Sequence, residues 1–480
     1  MLHAVLLGIF MYVRDCFFEQ IGPSSQTAQD INAISRNIGK FLSRQSDRDK
    51  PRTKFSRGIY KGKLMAKEYP GVLLIMAALL RSDDGKHLLM TSARNRFTEE
   101  RIEDWVMLVE TMLQWEAFLK LHQMERRHVM RLHKKHRYLL HLLKSVGARQ
   151  TGMGFKVVKF HAILHLADDI EMFGVPMNVD TGSNESHHKQ TKVAAKLTQK
   201  DPTTFEEQTS HRLDDMHVLN LGLQELKGRP LWDYETGYAK PQPRRDEDEE
   251  TNVTGGLKYI VHYNDAAQDE EGRDDVVAQS LCRKKEELEL DRDLMLFIWA
   301  LEQQLMEFID GGKIKVCSEH RRKGVMFRSH HNYRQKGPWR DWVMIHWGPP
   351  FGDLPAQIWG FFEVTRFPEG GKHRLPMNVG GGTVVSNGTW AIIESTDYTG
   401  ENESDSLFRE VVLEATEKEE DGRVRKRKFY VVDVEAFKDP MVVTPNHGSK
   451  DRYLVMVPKS KWADLFCLWL DTPYEDIPQP

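Results

Sequence analysis

The sequence predicts an α+β protein with a helical N-terminal half and a small β-barrel-like domain near its C-terminus. Three observations carry that prediction. Residues 99–144 are free of Gly and Pro, and they place Trp105, Leu108, Met112, Trp115, Phe118 and Leu119 at helical spacing. Residues 236–290 turn polar, charged and rich in chain breakers. From about residue 313 the apolar period shortens to that of strands.

At 480 residues the chain has room for two or three domains. Hydrophobic residues make up 40% and charged residues 29%, the balance of a soluble globular protein. The net charge of -3 excludes a surface that is basic throughout, so any nucleic-acid contact must be local. Cys16, Cys282, Cys317 and Cys467 form no CxxC and no zinc-like pair, which fits reduced thiols inside a cell. The opening MLHAVLLGIFMYVR is too short to span a bilayer and lacks the basic start and cleavage site of a signal peptide. It reads as a buried helix or strand. Domains usually open on a polar lead-in, so further sequence upstream of Met1 is expected.

The elements follow in order. The long helical stretch ends at a break over Ser145–Gly154, and FKVVKFHAILHLADDIEMFG forms the next helix, closed by Gly174 and Pro176. Another helix starts at Asn184 or Glu185 and runs to about Gln199, where Asp201 and Pro202 end it. Thr203 with Glu206 makes a capping box for the following helix. Residues 1–235 thus form one helical region, 236–290 a disordered linker, and 291–312 a helix carrying Leu294, Phe297, Ile298, Leu301 and Leu305. Residues 313–480 hold the strands DWVMIHW, AQIWGFFEV, TWAIIES, FREVVLEA, KFYVVDV and YLVMVP. A closing helix, Ser460 to Leu470, is expected to cover one end of the barrel. No internal repeat is visible.

Three constellations could carry chemistry. Lys159, His161, His165, Asp168 and Asp169 can share one side of a helix. His at i and i+4 with a nearby carboxylate is a zinc-like spacing; it is equally the polar face of a helix that buries Ile163, Leu164, Leu166 and Ile170. In TGSNESHHKQTK, Glu185, His188, Lys189, Lys192 and Lys196 line one helix face, with Val193 and Leu197 on the other. A first-turn Glu is favoured by the helix dipole alone. Alternatively Glu185 is one ligand of a two-metal site, with the lysines reaching DNA phosphates; such a site needs two or three acids from distant positions. Last, KLHQMERRHVMRLHKKHRYLLHLLK is strongly basic. Arg126, Arg127, Arg131, Lys134 and Lys135 there either contact a nucleic-acid backbone or form a solvated face balanced by the acidic linker. Phosphate-binding, dinucleotide-binding and hydrolase motifs (GxxxxGK[ST], GxGxxG after a strand, GxSxG) are absent.

The run KFHAILHLADDIEMFGVPMNVDTGSNESHHKQTKVAAKLTQ resembles the C-terminal catalytic part of transposases of the CACTA superfamily, above all the Plavaka-type and related, diatom-type elements. The matching positions are Lys159, His161, His165, Asp168, Asp169, Ile170, Gly174, Asn178, Thr181, Glu185, His188 and Lys189. LHAVLLGIFMYV is similar to a second block of that family, through His3 and Gly8. The resemblance covers residues 1–235 well and 236–480 loosely. It implies an RNase H-like core with a helical insertion at about 75–150, a nuclear location, and a parent activity of Mg²⁺-dependent DNA cleavage and transfer. Glu185 would be the third acid of the metal-binding trio, His3, His161, His165, His188 and Lys189 would support it, and Asp168 or Asp169 could join it. The other two acids of the trio would align upstream of Met1. One Glu does not hold two Mg²⁺, so the expectation is a catalytically incomplete protein, an RNase H-like core missing part of its sheet, with no tightly bound metal.

Two functions compete. One is a transposon-derived, DNA-binding protein. The other is an interaction protein whose β domain takes a peptide or chromatin partner, for which Trp339, Trp342, Trp347, Trp359, Phe361 and Trp390 could supply an aromatic cage.

Overall fold

The computed structural model describes residues 2–46, 49–51, 55–60, 64–147, 158–176, 191–227, 232–233, 238–239, 253–262, 313–322, 325–330, 333–335, 337–349, 352–365, 373–375, 383–385, 388–399, 406–414, 429–449 and 451–472. A π-helical segment, Leu2–Phe10, runs into α1 (Met11–Ile21). Then come α2 (Gln26–Leu42), α3 (Tyr69–Arg81), α4 (Asp83–Thr91), α5 (Glu99–Leu119) and α6 (Arg126–Val146). The helices α7 (Val158–Leu164), α8 (Leu166–Phe173), α9 (Phe205–Leu226) and α10 (Trp462–Asp471) complete the set, and residues 191–196 are also helical.

Local chemistry fixes these boundaries. Ser25, Ser82 and Thr98 cap α2, α4 and α5 by accepting from the backbone N–H groups of Ala28, Gly85 and Arg101. Glu99 and Glu100 add negative charge to the first turn of α5. The residues around α3 take up its whole circumference, since every side chain from Val72 to Leu80 is buried. Each of its larger apolar side chains contributes roughly 2 kcal/mol by leaving water. Trp105 and Trp115 of α5 are fully buried in the same core.

Several expectations need correction. The uninterrupted helix over 99–144 is two helices, because α5 stops at Lys120 and α6 starts after Glu125. The next helix breaks at His165 into α7 and α8, and Gly174, at φ +84°, ends it as expected. Thr203 does not cap α9. It donates to Asp201 through both its N–H and its hydroxyl, and the helix starts only at Phe205. Val193 and Leu197 are exposed, and Ala194 is the buried residue of that segment. All described elements up to residue 227 are helical, so the strands of an RNase H-like sheet are not among them.

The strands are β1 (Trp232–Asp233), β2 (Tyr238–Ala239), β3 (Val253–His262), β4 (Lys313–Arg322), β5 (Val325–His330), β6 (Trp339–Arg340), β7 (Trp342–Gly348) and β8 (Gly352–Thr365). They continue with β9 (His373–Leu375), β10 (Thr383–Val385), β11 (Gly388–Tyr398), β12 (Phe408–Leu413), β13 (Phe429–Asp433), β14 (Phe437–Pro445) and β15 (Arg452–Met456). Six of them close an antiparallel barrel in the order β7-β8-β11-β12-β15-β14 and back to β7. Closure leaves no unpaired edge within the ring. Long strands spill out of it: the far end of β8 pairs with β4, which also carries β3 and β5, and β13 pairs with β11. The stretch 236–290 is therefore not structureless throughout, since β3 lies in it. The expected helix 291–312 falls outside the described residues.

The helical region and the barrel share one hydrophobic core. On β14 and β15, Val442, Leu454 and Met456 face the helices, while Val443 and Val455 belong to a separate cluster with Trp342 and Val411. The closing helix α10 does not plug the barrel. It packs Phe466 on Phe118 of α5, with ring centroids 5.2 Å apart, and buries Trp462 and Leu470 in the helical core.

Polar groups pin this seam. The Gln45 amide donates to the Val443 carbonyl and accepts from its N–H at 2.9 Å. Glu110 accepts from Arg81 at 2.6 Å and from the Leu407 N–H at 2.9 Å; burial raises its pKa, and Arg81 opposes the rise. Asp341 accepts from the N–H groups of Ser46 and Arg328, both at 2.6 Å, and from the Trp339 indole at 3.1 Å. Burial nevertheless pushes its carboxyl up to about 6 from an ordinary 3.8.

The folded Asp341 carboxyl therefore ionises later than the unfolded one. Its contribution to stability is whole below about pH 4 and is lost as pH rises toward 6, an effect on the order of 3 kcal/mol. Urea unfolding at several pH values should show that decline in the native sequence and not in Asp341→Asn. A native-minus-variant difference that stays constant across the window would rule out titration of Asp341 there.

Candidate functional site

The basic helix α6 is amphipathic. Val129, Leu132, Leu139, Leu142, Leu143 and Val146 are buried, so Arg126, Arg127, Arg131, Lys134, Arg137 and Lys144 are left exposed. Arg127 pairs with Glu125 at 2.7 Å, and Arg131 pairs with Asp471 of α10. Exposed pairs of this kind are weak and exchange readily for a phosphate.

Lys135 departs from its expected role. It is 3% exposed, donates to the Thr472 hydroxyl at 3.0 Å and lies 4.5 Å from the Trp469 ring centroid. Burial, with Arg131 nearby, lowers its pKa. This lysine fastens α10 onto α6 and does not face solvent. His128 and His136 are buried on the same side of α6. Burial holds His136 near pKa 3, and its ring meets Trp115 edge-on at 5.4 Å.

Against α6 lies the histidine-bearing pair α7 and α8. His161 and His165 bring their Nε2 atoms to 3.3 Å. Asp168 then stands 3.6 Å from His165 Nδ1 and 3.8 Å from Nδ1 of His133 on α6. His161, His165, Asp168 and His133 thus form an exposed chain of contacts that does not converge on one point. Asp169 is exposed and joins neither histidine. Among the described residues, no group of three or more His, Cys, Asp or Glu side chains is placed to hold a metal ion.

Lys192 and Lys196 are exposed as expected. Glu185, His188 and Lys189 lie outside the described residues, as do the side chains of His3 and Lys159; His3 itself sits in the π-helical segment. His133 escaped the sequence reading. Its contact with Asp168 spans 35 residues, and no local spacing announces it.

Among the described residues, the six aromatics named above do not gather into a cage. Trp342, Trp359, Phe361 and Trp390 are buried. Trp339 packs on Tyr333 at 4.9 Å, with Lys50 and Arg328 over its ring, and Trp347 packs on Tyr430 at 5.2 Å.

Fold and surface define a helical unit joined through a polar seam to a closed six-stranded barrel, with a basic helix face beside a His/Asp chain. No family model, curated protein or solved structure matches the chain. Among the described residues no helix is long and apolar enough to cross a membrane.

Lys135 and Lys134 should respond differently to replacement. Lys135→Ala should lower stability by roughly 2 kcal/mol in urea unfolding, through loss of buried stem, hydrogen bond and cation–π contact. Lys134→Ala, on the exposed face, should stay within about 0.5 kcal/mol. Equal effects would show that Lys135 does not fasten α10.

Proposed function

We propose that this chain is a transposable-element-derived protein, akin to the CACTA-superfamily transposases, that binds DNA. The observation that supports this reading best is the exposed face of α6. Arg126, Arg127, Arg131 and Lys134 stand there together, and the acids that pair with its arginines among the described residues are Glu125 and Asp471. A net charge of -3 with so local a basic face suits contact with one stretch of phosphate backbone. The imidazoles of His133, His161 and His165 lie alongside and can donate further hydrogen bonds to phosphate oxygens. Lys192 and Lys196 add a second exposed basic patch.

The proposal concerns DNA binding and assigns no strand cleavage to these residues by themselves. Two-metal catalysis needs several carboxylates on a pair of Mg²⁺ ions, and the resemblance assigns one, Glu185, within this chain. A nuclear location goes with the DNA-binding role. The placement of the barrel aromatics adds no separate support for a peptide-binding role.

DNA binding should weaken with salt, and the slope should report the phosphate contacts. Replacing Arg126, Arg127 and Lys134 together by Gln should reduce the slope of log affinity against log salt by about 3, at about 0.9 per lost contact. Fluorescence anisotropy on duplex DNA at several salt concentrations measures it, with a melting curve to check that the fold persists. An unchanged affinity and slope would remove the basic face from the proposal.

A further inference from the structure

We infer that His161 and His165 form an open site for one zinc ion, chelated by their Nε2 atoms where α7 meets α8. The two residues are four apart, so their side chains lie one above the other. Their Nε2 atoms are 3.3 Å apart. Two Zn–N bonds of ordinary length at the tetrahedral angle set their nitrogens about 3.3 Å apart. The right angle of a square-planar ion would draw the same nitrogens to about 2.9 Å. The ring centroids are 4.8 Å apart, farther than the nitrogens, so the rings turn their Nε2 vertices toward each other. An ion can meet both nitrogens without a change in backbone.

The fold holds the pair from behind. The His165 N–H donates to the Ala162 carbonyl at 3.2 Å, a tighter turn than the α-helical one. α8 begins at the next residue, and the Asp169 N–H donates to the His165 carbonyl at 2.9 Å. Phe160, Ile163, Ala167 and Ile170 are buried on the inner side. The Phe160 ring meets Tyr12 of α1 edge-on at 4.9 Å. His161 is exposed, and the His165 side chain is more than half exposed. A backbone anchored in this way limits the entropy lost when an ion binds. Solvent reaches the imidazoles, so water can fill the remaining positions, as in an open zinc site.

Ligand chemistry selects the ion. Imidazole nitrogen suits zinc, copper and nickel, whereas Mg²⁺ takes oxygen ligands in an octahedron. Among the first three, the nitrogen separation matches the tetrahedral centre. Asp168 supplies the outer contact. Its Oδ2 stands 3.6 Å from Nδ1 of His165, the other nitrogen of that ring. A carboxylate there favours the proton on Nδ1 and leaves the Nε2 lone pair for the metal. Its Oδ1 lies 3.8 Å from His133 Nδ1, which ties the arrangement to α6. This site is separate from the Mg²⁺ trio that the resemblance places on Glu185, and it does not depend on DNA binding.

Isothermal titration of the full chain with ZnCl₂ tests this, with MgCl₂ as the control. One equivalent of zinc should bind. His161→Ala and His165→Ala should each weaken it by at least about tenfold, since even an outer contact is worth about that much. Asp168→Asn should weaken it about tenfold, and Asp168→Glu should restore it. The three side chains are exposed, and a melting curve confirms that the variants fold. MgCl₂ should give the same trace with the native chain and with the histidine variants. Absence of zinc binding by the native chain, or zinc bound as tightly by both histidine variants, would overturn the assignment. So would Mg²⁺ binding that the same substitutions abolish. Native affinity in Asp168→Asn would overturn the role given to Asp168.

Discussion

Gln45 grips both backbone groups of Val443, and the geometry of the whole molecule depends on that kind of contact. A side-chain amide that satisfies a buried N–H and a buried carbonyl acts as one more rung of a β-ladder, supplied by a helical region. Asp341 does the reverse, reaching from the barrel to the Ser46 N–H just past α2. Glu110 joins α5 to the Leu407 N–H, just before β12, in the same way. Apolar packing across the seam supplies most of the driving force, but it is non-directional. The three polar contacts fix register, because a slip of one residue along β14 would leave Gln45 and the Val443 backbone buried and unpaired.

That constraint explains what the surface can offer. Once the barrel is locked, α10 is delivered to the far side of the helical core, where Phe466 meets Phe118. Its final turn brings Asp471 to Arg131, and Thr472 and Trp469 to Lys135. One residue of the basic run is thereby drawn inward, while Arg126, Arg127 and Lys134 stay in solvent. The same lock holds Asn37, Lys40 and Phe41 of α2 across a cleft from Arg340 and Gln357.

Much of this was legible in the sequence, and the failures have physical causes. Period-2 runs marked β7, β8, β11, β12, β13 and β15 correctly, because each alternates or concentrates β-branched and aromatic residues. The barrel strand β14 was missed because Pro440 and Pro445 argue against a strand; the pairing with β7 is in fact irregular between Phe437 and Pro440. Lys135 read as one more surface cation, since its burial comes from a helix more than 300 residues away. The His161–His165–Asp168 grouping was legible because it is local, at i, i+4 and i+7, whereas His133 and the α2 cleft are tertiary products. Glu185, on which the resemblance places the chemistry, lies outside the described residues, so that part of the reading rests on sequence pattern alone.

The docking of α10 on α5 and α6 has a consequence for how the chain is made. Trp462, Phe466 and Leu470 fill a core built mainly from the first third of the polypeptide, to which the barrel adds Phe408, Val442, Leu454 and Met456. During synthesis, that core must wait with an apolar gap until the final helix has left the ribosome. The barrel likewise closes only when β14 meets β7, made about a hundred residues earlier, and β15 meets β12, made about forty to fifty residues earlier. So high a contact order means late, slow completion, with apolar surface of the early helices left uncovered for longer than in a locally folded bundle.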